Sequence, residues 1–178
     1  MRVAGGKAKG HQLVVPKARD IRPTQEGVRL AIFNILGDLV KGRKTLDLYA
    51  GSGSLGIEAL SHGAKEAIFV ESNKSACEVI KKNLDHIKLQ EKGKVICRSV
   101  HQTLLELPKQ NFDLVFLDPP YAIGKLDHIF AALLPHLARG ALVVFEHAKT
   151  TEPPSIAGLQ IIDRRIYGET KVTFLTKV

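Results

Sequence analysis

Tryptophan is absent from this 178-residue chain, and other aromatic residues are few: seven Phe and three Tyr. A sequence-tolerant platform for single-stranded nucleic acid stacks successive bases on aromatic rings, so this composition argues against one. Only two cysteines occur, Cys77 in a helical stretch and Cys97 in a strand-like one, with neither CxxC spacing nor a His–Cys cluster. No disulfide framework and no metal site is therefore expected, and both thiols read as core residues. No apolar run approaches the ~18 residues that a membrane span needs. The opening Met1-Arg2-Val3-Ala4-Gly5-Gly6 lacks the features of a signal peptide, so a cytoplasmic protein with no membrane partner is expected. Internal repeats, low-complexity tracts and long linkers are missing too, and Thr150 to Ser155 reads as a surface connection. The histidines are scattered; His101, His136 and His147 read as surface or helix-end residues without a catalytic task.

What is present is an uneven charge. The net charge is +8, but residues 1–44 hold ten Lys/Arg against three Asp/Glu, a net of +7, while residues 45–178 hold sixteen against fifteen, a net of +1. A basic segment on a nearly neutral body is the footprint of a phosphate-backbone partner, the bland alternative being a solvated tail in which Gly5, Gly6 and Gly10 merely add mobility. The length suits one hydrophobic core. It divides into a basic extension and helix over 1–40, expected to contact a phosphate backbone, and a globular unit over 41–178.

Alternating apolar and amphipathic stretches predict strands at 45–50, 67–71, 94–97, 112–117 and 141–146, with helices at 25–36, 54–62, 73–87, 100–107 and 125–137. Asn73 is the expected N-cap of helix 73–87. This order implies an α/β fold, a mostly parallel sheet covered by helices on both faces. Beyond residue 155 the pattern changes: 159–166 and 171–178 are two β-rich runs around Tyr167-Gly168-Glu169-Thr170, a hairpin signature.

Two segments carry chemistry. The strand Phe112 to Leu117 runs into Asp118-Pro119-Pro120-Tyr121. Proline has no N–H, so this loop offers the Asp118 carboxylate and the Pro119 carbonyl as acceptors, with the Tyr121 ring beside them, a pocket suited to a planar amine. Upstream, Thr45 to Ala50 leads into Gly51-Ser52-Gly53-Ser54-Leu55-Gly56, the spacing of a nucleotide-binding turn, and Glu71 ends the next strand twenty residues beyond Gly51, where an acid accepts bonds from ribose hydroxyls. The ends of these strands converge on one crevice. Glu146-His147 also ends a strand at that rim, with no task indicated by spacing.

Together with the opening Arg2-Val3-Ala4-Gly5-Gly6-Lys7-Ala8-Lys9-Gly10 and the segment Arg22-Pro23-Thr24 before Val28 to Leu36, these motifs resemble the RsmD-like family of bacterial S-adenosylmethionine-dependent methyltransferases, which act on N2 of a guanine in 16S ribosomal RNA. The resemblance spans nearly the whole chain. It implies a Rossmann-like class I methyltransferase fold, a seven-stranded sheet closed by an antiparallel C-terminal hairpin. It also implies S-adenosylmethionine as cofactor, with no metal, and ribosomal RNA as partner, either naked or within an assembled or assembling small subunit; a monomer is expected.

By the same resemblance Asp47, Tyr49, Gly51, Gly53, Glu71, Ser99 and Val100 hold the cofactor, and Asp118, Pro119 and Tyr121 perform the transfer. Ser99 is a departure, since related enzymes often carry an acid there for the adenine amine. Arg2, Lys9, Lys17, Arg22 and Arg29 are the expected phosphate contacts, with Thr24 as N-cap of the first helix. Three alternatives stay open: an NAD-dependent oxidoreductase, a non-catalytic ribosomal RNA-binding module, and a methyltransferase acting on another RNA, DNA or protein amide nitrogen.

Overall fold

The computed structural model describes residues 1–16, 26–120, 124 and 126–178. Helix α1 (Glu26–Leu36) precedes an alternating series: β1 (Lys44–Leu48), α2 (Ser54–Ser61), β2 (Glu66–Glu71), α3 (Lys74–His86), β3 (Gly93–Cys97), α4 (Val100–Glu106), β4 (Phe112–Leu117), α5 (Asp127–Leu133) and β5 (Leu137–Ala148). The closing hairpin is β6 (Leu159–Tyr167) and β7 (Thr170–Lys177). The seven strands lie in the order β3-β2-β1-β4-β5-β7-β6, with β1 to β5 parallel and β7 antiparallel to both β5 and β6. The mostly parallel α/β sheet with an antiparallel C-terminal hairpin is thus present. Its tight turn rests on Gly168, whose φ of 61° suits the first central position of a two-residue hairpin loop.

Strands buried on both faces read as nearly continuous apolar runs, and β4 is the clearest case. One face packs Phe69, Leu114, Phe116, Val144 and Phe174 under α1, α2 and α3; the other packs Leu46, Leu48, Val70, Leu117 and Phe145 under α4 and α5. Asn73 caps α3 as expected, its side chain accepting the Ala76 N–H at 3.1 Å. The expected helix 125–137 is shorter: α5 ends at Leu133, and Leu134–His136, with Pro135 inside it, forms a single 3-10 turn. β5 begins earlier than expected because the polar Arg139-Gly140 pair sits in a register irregularity opposite β4, with Gly140 at φ 72°.

Two side-chain expectations fail. Cys97 is exposed rather than in the core, because β3 is an edge strand, whereas Cys77 is buried. His147 is buried, stacking on Phe145 and bonding Thr173 Oγ1 at 2.9 Å, whereas His136 does end a helical turn, though it is buried there with Nε2 bonding the Leu104 carbonyl at 2.8 Å.

The N-terminal residues are docked. Val3, Ala8 and Leu13 join the same core as α1 and the sheet face, so residues 1–16 share one core with the rest of the chain. No described helix is long and apolar enough to cross a membrane.

Candidate active site

The C-terminal ends of the parallel strands hold the groups of interest. β1 stops at Leu48 and the chain turns sharply through three left-handed residues, Tyr49 (φ 60°), Gly51 (φ 55°) and Gly53 (φ 78°), before α2 begins. A left-handed tyrosine is costly, since its Cβ crowds the backbone, and such strain is held only where surrounding bonds dictate it. Here they do. Glu71, at the end of β2, accepts the Gly51 N–H through Oε2 and the Asn73 N–H through Oε1, both at 2.8 Å. Beneath the turn, Asp47 accepts the Gly56 N–H at 2.9 Å. Burial pushes the Asp47 carboxyl well up; its bond from Gly56 opposes this, and the charges of Asp118 and Glu71 add to the rise. Gly56 serves packing, because a Cβ there would drive into the Phe69 ring.

Sequence assigned Asp47 and Glu71 the same task, and the structure separates them. Asp47 is only 1% exposed and supports the turn from below. Glu71 is partly exposed, and its carboxylate oxygens keep lone pairs beyond the two amide bonds. Tyr49 is half-buried, which raises its phenol to about 12 and keeps it neutral. Ser99 caps α4, accepting the Gln102 N–H at 3.3 Å and donating to Gln102 Oε1 at 3.1 Å, so its hydroxyl proton is already committed. Val100 follows as a buried first residue of that helix.

Asp118 lies just past β4, and its N–H reaches the Leu48 carbonyl at 3.4 Å, extending the β1–β4 pairing into the loop. Its carboxylate is therefore beside the glycine turn, close enough to perturb Asp47. Pro119 is buried and Pro120 exposed. Tyr121, Lys17, Arg22 and Thr24 lie outside the described residues.

One further acid stands out in the structure. Glu146, on β5 beside Asp118, is 6% exposed, and its Oε2 has no hydrogen-bond partner among the described residues. Burial, and then the Asp118 charge, push it up to about 8. The sequence signal was a carboxylate directly after the apolar run Ala141 to Phe145, a position where a buried strand would otherwise continue.

The basic residues divide as well. Arg2, Lys7 and Lys9 are exposed, on a small hairpin formed by the Arg2 to Gln12 bridge. Arg29 is a correction: it is fully buried, so it does not face a phosphate. Its Nε donates to Glu58 Oε2 at 3.1 Å and its Nη2 to the Arg2 carbonyl at 2.6 Å. Glu58 also accepts the Ala4 and Gly5 N–H groups, at 2.9 and 2.6 Å. Arg29, Ile32, Phe33 and Leu36 fall at i, i+3, i+4 and i+7, so helical periodicity alone places Arg29 on the inner face. The ion pair pins the basic hairpin to α2, and Gly5 and Gly6 permit that approach, since a Cβ at either would strike His62 or the Ser61 backbone. Asn83 fixes the hairpin's end, bonding Val14 through both N–H and carbonyl and also the Ser52 carbonyl of the glycine turn.

A protein family described as conserved hypothetical protein 95 matches residues 1–176 of this chain. Among curated proteins, the ribosomal RNA small subunit methyltransferase D of Haemophilus influenzae is 36% identical, covering 84% of this chain and 79% of its own length. The protein of that name from Escherichia coli is 32% identical over 88% of this chain and 79% of its own. A solved Escherichia coli structure superimposes with a TM-score of 0.89 at 28% identity, over 99% of this chain and 97% of that one.

Proposed function

Since the chain belongs to the conserved hypothetical protein 95 family, which is that of the ribosomal RNA small subunit methyltransferase D proteins, we propose that it transfers a methyl group from S-adenosylmethionine to N2 of a guanine in small-subunit ribosomal RNA. The observation that carries this reading is the Asp118-Pro119 loop tied to the end of β1 beside the Gly51 turn, so that an amine acceptor and a nucleotide-type turn share one crevice.

The donor set fits the cofactor. S-adenosylmethionine supplies an electrophilic methyl group on a sulfonium cation, and this crevice concentrates the carboxyls of Glu71, Asp118 and the more deeply placed Asp47 within a chain that is basic elsewhere. Glu71 is the ribose acceptor in this reading, held in place by the Gly51 and Asn73 amides. Gly51 and Gly53 let the backbone approach the ligand closely. Asp47 keeps the turn in shape, Tyr49 closes one wall with a neutral ring, and Ser99 and Val100 border the adenine side at the start of α4.

The guanine N2 lone pair is delocalised into the ring, so the amine needs help. Asp118 and the Pro119 carbonyl accept its two hydrogens, direct a lone pair at the methyl carbon and stabilise the positive charge developing on nitrogen. Tyr121 takes the base-stacking role on chemical grounds. Much of the remaining acceleration comes from holding the reacting atoms about 3–3.5 Å apart in line. Base edges in A-form RNA are hard to reach, so the target lies in a loop or is flipped out. Arg2, Lys7 and Lys9 on the docked hairpin, with Arg22, meet the flanking phosphates. The test is labelled methyl transfer to ribosomal RNA from cells lacking the protein, followed by mass mapping of the modified nucleotide. Label at N2 of one small-subunit guanine is expected; label elsewhere, or none, overturns the reading.

A further inference from the structure

Glu146, buried on β5 level with Asp118, is a group that the transfer step described above does not use. Along β5, Val144 faces the core under α1 and α2 while Val143 and Phe145 face the opposite core, so Glu146 continues on the α1/α2 face, across from Val172 on β7. Asp118 follows Phe116 on that same face, and the pairing of Leu117 with Phe145 sets Asp118 and Glu146 at the same level on adjacent strands. Across the sheet the order is Glu71 on β2, the glycine turn after β1, Asp118 after β4, then Glu146 on β5. Glu146 is therefore on the side of Asp118 away from the glycine turn, and in the proposed reading the ring attached to the reacting amine extends to that side.

A buried carboxyl oxygen without a partner is uncommon and destabilising. The neighbouring buried His147 has both ring nitrogens satisfied, by the Ala148 carbonyl and by Thr173 Oγ1, so the deficit at Glu146 Oε2 is local. With its titration raised to about 8, the carboxyl keeps its proton at neutral pH and offers one donor beside one acceptor. The edge of guanine next to N2 has the matching order, N1–H as donor and O6 as acceptor.

We propose that Glu146 is a specificity-determining residue whose carboxyl reads this lactam edge, accepting N1–H and donating to O6, so that the site selects guanine among bases carrying a 2-amino group. The assignment rests on the guanine-N2 reading given above.

The test uses the full chain and synthetic RNA fragments of the mapped site carrying either guanine or 2-aminopurine, which keeps the amine but lacks N1–H and O6. The ratio of kcat/KM for the two fragments is compared between proteins, which cancels their intrinsic difference in nucleophilicity. E146A should lower kcat/KM on guanine by about 10- to 100-fold and change 2-aminopurine little, collapsing the ratio. E146Q should retain most of the ratio, because its amide presents the same acceptor and donor. A merely structural role would lower the melting temperature, whereas removing a lone buried carboxyl should leave it unchanged or raise it. E146A keeping the wild-type ratio, or E146Q losing it as fully as E146A, overturns the proposal. Should E146A fail to fold, the wild-type protein must still prefer guanine over 2-aminopurine by at least ~10-fold, and a ratio near one overturns it. If the wild-type protein methylates no guanine N2, both readings fall; if it does and E146A keeps the preference, only this one falls.

Discussion

Replacing Arg29 by methionine removes a buried guanidinium that links three segments: α1, through its own backbone; α2, through Glu58; and the N-terminal hairpin, through the Arg2 carbonyl. Glu58 is 1% exposed in the pair and would lose its guanidinium partner in the variant, but the Ala4 and Gly5 amides and His62 remain around it. The cost should therefore fall at the lower end for a broken buried pair, about 3 kcal/mol. Glu58→Leu should cost more, about 4–5 kcal/mol, because the guanidinium is left buried, its Nη1 already lacks a partner among the described residues, and two backbone N–H groups lose their acceptor. The double variant should be less destabilised than the sum of the singles, since neither orphaned charge remains. Urea unfolding with linear extrapolation measures all three, and an unchanged m-value identifies a pure stability effect. Arg29→Met within about 0.5 kcal/mol of wild type, together with a salt slope for RNA binding lowered by about one contact, would return Arg29 to the phosphate-binding surface and refute its structural role.

Glu71→Ala should weaken S-adenosylmethionine binding by about 1–3 kcal/mol in calorimetry, with an unchanged dissociation constant removing Glu71 from the site. Asp118→Ala should cut turnover at least ~100-fold and leave cofactor affinity within a few-fold, and near wild-type turnover would contradict the displacement geometry. Lys7→Gln with Lys9→Gln, both on the docked hairpin, should lower the log–log salt slope of RNA binding by about 1.4–1.8 with cofactor affinity unmoved, and an unchanged slope would make the hairpin a bystander. Glu146 binds its proton more tightly when folded, at about 8 against an ordinary 4.5, so the stability it contributes is complete below about pH 4.5 and is lost as pH rises through 8. Unfolding free energies of the wild type, relative to E146Q, should decline across that window by a few kcal/mol, and parallel curves would refute the shift.

The elements were legible because they follow local periodicity: β4 is an apolar run broken only by Asp113, α3 has Asn73 as its cap, and Gly168 marks the hairpin. The glycine turn, Glu71 and Asp118 were legible because backbone freedom or a strand-end acid leaves a trace at fixed spacing. Arg29 was misread although its helical phase placed it inward, since charge on a basic segment drew it to the surface and its partner, Glu58, is remote in sequence. The left-handed backbone of Tyr49 gave no signal, because it is set by neighbours such as Gly51, which Glu71 holds from another strand. Glu146 stood out in sequence only as an acid after an apolar run; its missing partner and its alignment with Asp118 exist only once β4 and β5 are paired.

The strand order also sets a schedule for synthesis. β7 is made after β6, yet it lies inside the sheet between β5 and β6. Until β7 is in place, the outer edge of β5 has no neighbour and β6 has nothing to join. The nascent chain thus carries an open, apolar strand edge for the whole time that β6 is being made, the condition under which unfinished chains stick to one another. A chain cut within β7 (Thr170–Lys177) would lose an interior strand rather than an edge one, so such products should aggregate or be cleared.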